Sequence, residues 1–256
     1  MTAPISFGSP FWPGTGSPPP AVPAGNVPAP PVIVFCCDED IAGQCPGDFM
    51  TLCPSWQQIA SGSDGAFLST DLWTLTTSVG LAAQGLAVGH VVNLSKGIIT
   101  GSTRPYFSGQ GPLYGVAAVT SAGVTLRQIG QPAGVGAPPS PAGGMTGVAF
   151  TVNHFAPQII NATLDAKNEF GIDDNIFMQS TPHLYDPNGE LLRYCVLKVL
   201  LDQYTNETRG DRGDFALKVK MYDANLKNVH RRLTARWIPL GVGDVPQSIF
   251  ATQIRR

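Results

Sequence analysis

Charged side chains make up only 13% of the 256 residues, and glutamate occurs just four times. No acidic pair stands out as a general acid and base. The four histidines, His90, His154, His183 and His230, are scattered, away from metal-ligand spacing and from any nucleophile motif of the GxSxG kind. Neither a phosphate-cradling GxxxxGKS/T nor a GxGxxG between strand and helix is present. These absences argue against hydrolase, phosphoryl-transfer and dinucleotide chemistry, so no catalytic residue, cofactor or metal is expected. No apolar run reaches the length of a bilayer span, and residues 1–31 lack the charged and apolar regions of a secretion signal. A soluble protein made in the cytoplasm is expected.

Cysteine is also sparse. Five thiols, an odd number, point to reduced side chains rather than a disulfide framework. Cys36, Cys37, Cys45 and Cys53 cluster within eighteen residues, but an adjacent pair and two steps of eight do not supply the short Cys-x-x-Cys arms of a zinc site. Small buried apolar cysteines are the favoured reading, with metal binding as the rival.

Loop-forming residues, by contrast, are plentiful: 29 glycines and 23 prolines argue for small cores joined by much loop. The charges divide unevenly, with four basic and ten acidic residues up to Thr181 and twelve basic and eight acidic from Pro182 onward. A basic last third suits a surface that meets an acidic partner or lines a DNA passage.

Taken in order, the chain divides into five parts. Residues 1–31 form a Pro-rich extended arm that cannot make a core. Residues 32–78 read as an irregular segment with short helices, where Asp38, Glu39 and Asp40 supply acids to a first turn, Ser63-Asp64-Gly65 reads as a turn, and Leu72 to Thr77 has the aromatic and β-branched content of a strand. Residues 79–152 carry short β-type runs, Val88 to Leu94, Leu113 to Val119, Val124 to Ile129 and Gly147 to Val152, between Gly/Pro/Ser loops. This pattern predicts a small β-barrel-like domain. Residues 153–237 switch to helical periodicity, with helices near Pro157 to Phe170, Pro187 to Tyr204 and Phe215 to Trp237. In the first of these, Ile160, Leu164 and Phe170 lie on or near one side. Residues 238–256 are an extended tail. The expected class is α+β.

The organising feature is a long α-hairpin. Asp186 is placed to cap its first helix, with Pro187 at the first position, and Leu191, Leu192, Cys195, Val196, Val199 and Leu200 make a broad apolar face. After a polar tip from Thr205 to Gly213, Asp214 is placed to cap a second helix that ends before Pro239. Its apolar positions, Phe215, Val219, Tyr222, Leu226, Val229 and Leu233, recur at steps of four and three, the spacing of a narrow seam. That stripe is expected to be an oligomer interface.

Two stretches carry a family likeness. LLRYCVLKVLLDQYTNETRGDRGDFALKVKMYDANLKNVHRRLTARW, with its polar tip and F-A-x-K-x-x-x-Y second helix, is similar to the α-hairpin of tailed-bacteriophage head–tail connector, or adaptor, proteins. VGHVVNLS and LYGVAAVTSAGVTLRQIG resemble the small barrel motifs of phage neck proteins. The resemblance implies a structural virion protein at the head–tail neck. It implies a homo-oligomeric ring, commonly of twelve subunits, between the portal protein and a tail or nozzle protein, with non-specific contact to packaged DNA. The alternative is a tail-fibre or other tail or baseplate structural protein, which a β-rich middle and long loops would also serve. Portal binding is expected in the tail, where Ile238, Leu240, Val242, Val245, Ile249 and Phe250 could lie along a groove, with Arg255 and Arg256 left for carboxylates or phosphates. The rival is a tail folded back on its own chain.

Overall fold

The computed structural model describes residues 34–107, 111–170, 189–209 and 215–233, together with the strands His183–Tyr185, Arg236–Ile238 and Gln247–Ser248. The Pro-rich arm, Asp186, Pro187 and Asp214 lie outside these residues.

Cys37, in extended backbone, opens helix α1 (Asp38–Gln44), and its N–H donates to the Asp40 carboxylate at 2.8 Å. Three acids fill the first turn, where unpaired helix N–H groups favour negative charge. A short helix α2 (Phe49–Leu52) and a 3-10 turn (Ser55–Gln57) follow. The chain then enters β1 (Gln58–Leu68), which corrects the expectation of irregular structure there, and β2 (Asp71–Thr76), where strand composition was expected from Leu72 to Thr77. Ser63, Asp64 and Gly65 lie within β1, not in a turn, and the register against its partner strand shifts between Gly62 and Gly65. Glycine is required here by packing: a Cβ at Gly65 would stand 2.9 Å from the Leu75 side chain and 2.8 Å from the Val148 carbonyl oxygen. Asp64 instead accepts from the Ser78 N–H at 2.7 Å and the Thr77 hydroxyl at 2.9 Å, tying the strand to the loop after β2.

Four further strands complete the sheet: β3 (Val91–Ile99), β4 (Leu113–Val119), β5 (Val124–Gln128) and β6 (Met145–Asn153). They close an antiparallel barrel in the order β1-β2-β5-β4-β3-β6. The barrel therefore runs from Gln58 to Asn153, and closure leaves it no free edge. Its interior is filled by Phe67, Leu75, Val92, Leu94, Val116, Leu126, Met145, Val148 and Phe150.

Helices α3 (Ala156–Phe170), α4 (Glu190–Arg209) and α5 (Ala216–Arg232) build a second core. On α3 the buried side is Ile159, Ala162, Ala166 and Phe170, whereas Leu164, expected inside, is exposed. Helix α4 is central and packs on both α3 and α5. Helix α5 stops at Arg232, because Leu233 is extended and Arg236–Ile238 forms β8, which pairs with β7 (His183–Tyr185) and β9 (Gln247–Ser248). Strand pairing, not Pro239, thus takes Trp237 out of the expected helix. The helical core also takes in Cys36, Ile41, Phe49, Leu52, Val91 and Phe155, so α1, α2 and one barrel strand contribute to it. Among the described residues, no helix is long and apolar enough to cross a membrane.

Candidate functional site

The apolar stripe of α5 is the first place to look, and it is occupied. Tyr222, Val229 and Leu233 are buried in the chain's own core, while Phe215, Val219 and Leu226 are partly buried against it. The Tyr204 ring of α4 stacks on Tyr222 at 5.2 Å between centroids and meets Phe215 edge-on at 5.1 Å. The stripe expected to meet a neighbouring subunit thus packs within its own chain, and Phe215, Val219 and Leu226 keep part of their surface outside. The broad face of α4, through Leu191, Cys195, Val196, Val199 and Leu200, belongs to the same core, and α4 packs on α5.

Polar clamps stand at both ends of the helices. At one, the Tyr204 hydroxyl donates to the Asp48 carboxylate, the Lys218 ammonium pairs with the same carboxylate, and Lys218 lies 5.3 Å and 5.4 Å from the Tyr204 and Phe215 ring centres. Burial alone would raise Asp48, but the Lys218 and Tyr204 hydrogen bonds hold its carboxyl below the usual range. At the other end, Glu169 accepts from the Tyr194 hydroxyl and sits 2.9 Å from His230 Nε2, while the Phe170 ring contacts Tyr194 and His230. A cleft of about 430 Å³ lies here, lined by Glu169, Tyr194, Asp223, Leu226, Lys227, His230 and Arg231.

A second polar group joins α1 to the barrel. Glu39 is buried, receives Arg127 Nε at 3.0 Å and Nη2 at 2.5 Å, and accepts the Gly130 N–H at 3.2 Å. Beside it Asp38, only 2% exposed, accepts the Phe155 N–H at 2.7 Å, and burial pushes its carboxyl up to about 7. His90 Nδ1 accepts from the Ala87 N–H at 3.1 Å, leaving Nε2 toward Asp38 at 4.0 Å. Burial, and then the nearby His154 at 6.1 Å between rings, lower the His90 pKa.

All five cysteines are free thiols, and four of them join the helical core. Cys36, Cys45, Cys53 and Cys195 are buried and Cys37 is half-buried. Among the described residues no group of three or more His, Cys, Asp or Glu is placed to hold a metal ion.

What α5 leaves outside is a second row: Leu217 at 77% exposure, Met221 at 48%, and Ala224. The spacing of four and three was legible in sequence, but the stronger stripe masked it. The clamp residues Asp48, Tyr204, Glu169, Tyr194, His230, Asp38 and Arg127 carried no motif, since their partners lie 25 to 170 positions away. Of the expected portal-binding residues, Ile238 pairs through its backbone with His183 of the same chain. Leu240, Val242, Val245, Ile249, Phe250, Arg255 and Arg256 lie outside the described residues. No protein-family model, curated protein or solved structure matches this chain.

Proposed function

We propose that this chain is a structural subunit of the neck of a tailed-bacteriophage virion, a head–tail connector that assembles as a ring between portal and tail around a passage for DNA. The observation that carries the reading is the ridge of Leu217, Met221 and Ala224 on the outside of α5: two large apolar side chains and an alanine, regularly spaced on a helix whose core-facing side is already packed. A subunit whose surface is largely interface needs such ridges, together with the low overall charge of this chain. Helices α4 and α5 play the part of the connector α-hairpin, and the closed barrel that of the small neck barrel. The ring's neighbours are the portal protein on one side and a tail or nozzle protein on the other. The basic last third of the chain supplies non-specific contact to packaged DNA. The segment beyond Ile238 contributes to portal docking through Leu240, Val242, Val245, Ile249, Phe250, Arg255 and Arg256. This reading requires no cofactor and no catalytic step.

The test is electron microscopy of the purified protein mixed with assembled portal. A ring of these subunits stacked on the portal, with twelve as the expected number, is the supporting result. Portal particles that remain bare at saturating protein overturn the proposal.

A further inference from the structure

We infer that the subunit contact is heterologous: the outer face of α5 in one copy docks on the outer face of α3 and α4 in the next. The inference rests on the ring reading above and names the surfaces that make it. On α3, Asn161, Leu164, Asp165, Asn168 and Glu169 are exposed and share one face. Leu164 is 44% exposed there. Lys198 of α4 stands 3.6 Å from both Asp165 and Asp202, so one cation faces two carboxylates and the flank stays net negative. On α5, Leu217, Lys220, Met221, Ala224, Lys227 and Arg231 share the outer face. Lys227 pairs with Asp223 at 2.7 Å and Arg231 borders the cleft that also holds Glu169; with Lys220, Lys227 and Arg231 against the one carboxylate of α5, Asp223, this ridge stays net positive.

Each flank thus offers exposed leucine beside charge of one sign, and the signs are opposite. A two-fold contact of α5 with its own copy would set Lys220 and Arg231 against like charges, and one of the α3–α4 flank with its copy would do the same with Asp165 and Asp202. Helices α3 and α5 each pack on α4 and come together at their C-terminal ends, where Glu169 meets His230; the favoured contact therefore uses two different surfaces away from that end, around Leu164 and Asp165 on one and Leu217 and Lys220 on the other, and repeats from copy to copy. Such a contact closes into a ring when its rotation permits.

The experiment is site-directed cross-linking of the full chain without portal, at the highest soluble concentration. Leu164→Cys and Leu217→Cys are made as separate variants, one carrying a mass tag, and both sites are exposed, so folding is retained and checked by circular dichroism. Mild oxidation of the mixture is expected to give mixed dimers in excess over either self-pair by on the order of tenfold. Self-pairs of the Leu217→Cys variant as the main product, or a chain that stays monomeric and uncross-linked, overturn the inference. The portal experiment is read separately. Mixed dimers without portal binding remove the neck reading and leave the contact standing; portal-bound rings that fail to cross-link these two sites remove the contact alone.

Discussion

Arg127 and Glu39 form a two-point ion pair, Nε and Nη2 of the guanidinium against one carboxylate, across 88 positions of sequence. It fastens α1 to β5. Because Glu39 is buried, removing the cation strands a charge in a poor solvent. Arg127→Ala should therefore lower stability by about 3 kcal/mol, the lower part of the range for a broken buried pair, since the arginine itself is partly solvated. Chemical denaturation checks it. The paired change Glu39→Leu with Arg127→Met should recover most of the loss.

Gly115 faces the same carboxylate. A Cβ there would lie 2.5 Å from Glu39 Cδ, so the absence of a side chain on β4 is what lets Glu39 sit where Arg127 can reach it. Gly115→Ala should cost about 1–3 kcal/mol, as overpacking does. In the Arg127→Ala background the same change should cost less, because Glu39 is then free to swing away. A double-mutant cycle measures that coupling, and additive costs would separate Gly115 from the clamp.

Asp38 makes stability depend on pH. Its carboxyl titrates at about 7 in the folded chain against an ordinary value of 3.8, so the fold holds the proton more tightly than the unfolded chain does. That contribution is complete below about pH 4 and is lost as pH rises through about 7. His90 and His154, whose pKa values are lowered by burial, contribute in the opposite sense: their share is present above 6.5 and is lost as pH falls. Asp38→Asn keeps an oxygen for the Phe155 N–H and removes only the first contribution. Relative to the parent, the variant should gain about 1–3 kcal/mol between pH 5 and pH 8, read from urea midpoints at each pH. A constant difference across that range counts against a proton on Asp38.

Local apolar pattern and β-type composition made the helices and five of the six barrel strands legible, because they are enough to mark an element and its buried side. They did not reveal β1, where Gly62, Ser63, Asp64 and Gly65 have turn composition yet stay in the sheet: glycine makes room for Phe150 and Leu75, and Asp64 finds its hydrogen bonds outside. Nor could they say that the seam of Tyr222, Leu226 and Val229 would close on α4, since a stripe marks burial but not the partner that does the burying. Val91 and Val92 show the same limit on one strand: neighbours in sequence, they are buried in different cores. The clamps are long-range pairs of single residues, and no spacing announces them.

The thiols provide a chemical test of the packing. Burial pushes Cys45, Cys53 and Cys195 up to about 12 and raises Cys36 further; Cys37, half-buried, is likewise pushed up to about 12. The reactive thiolate is thus scarce at pH 8. Alkylation of the native protein should be slow at all five positions and complete within minutes once denaturant is added. Fast native labelling of Cys36 or Cys195 would mean that the core around α3 and α4 opens.

Two substitutions on α5 separate its two sides. Leu226 is partly buried against the helical core and lines the cleft that also holds Glu169 and Asp223, so an added carboxylate there would be poorly solvated and close to two others. Leu226→Asp should destabilise the isolated chain by about 2–4 kcal/mol. Leu217, 77% exposed, has little to lose inside its own chain, and Leu217→Asp should change stability by no more than about 0.5 kcal/mol. On the assembly reading it should nevertheless disrupt subunit association, because it places a negative charge among the apolar residues of a net positive ridge. Thermal melts measure the first effect and sedimentation the second. If Leu217→Asp melts like the parent and still assembles like it, the outer row of α5 faces solvent and the ring contact lies elsewhere; if Leu226→Asp melts like the parent, α5 does not pack on α4 in the way its buried Tyr222 and Val229 require.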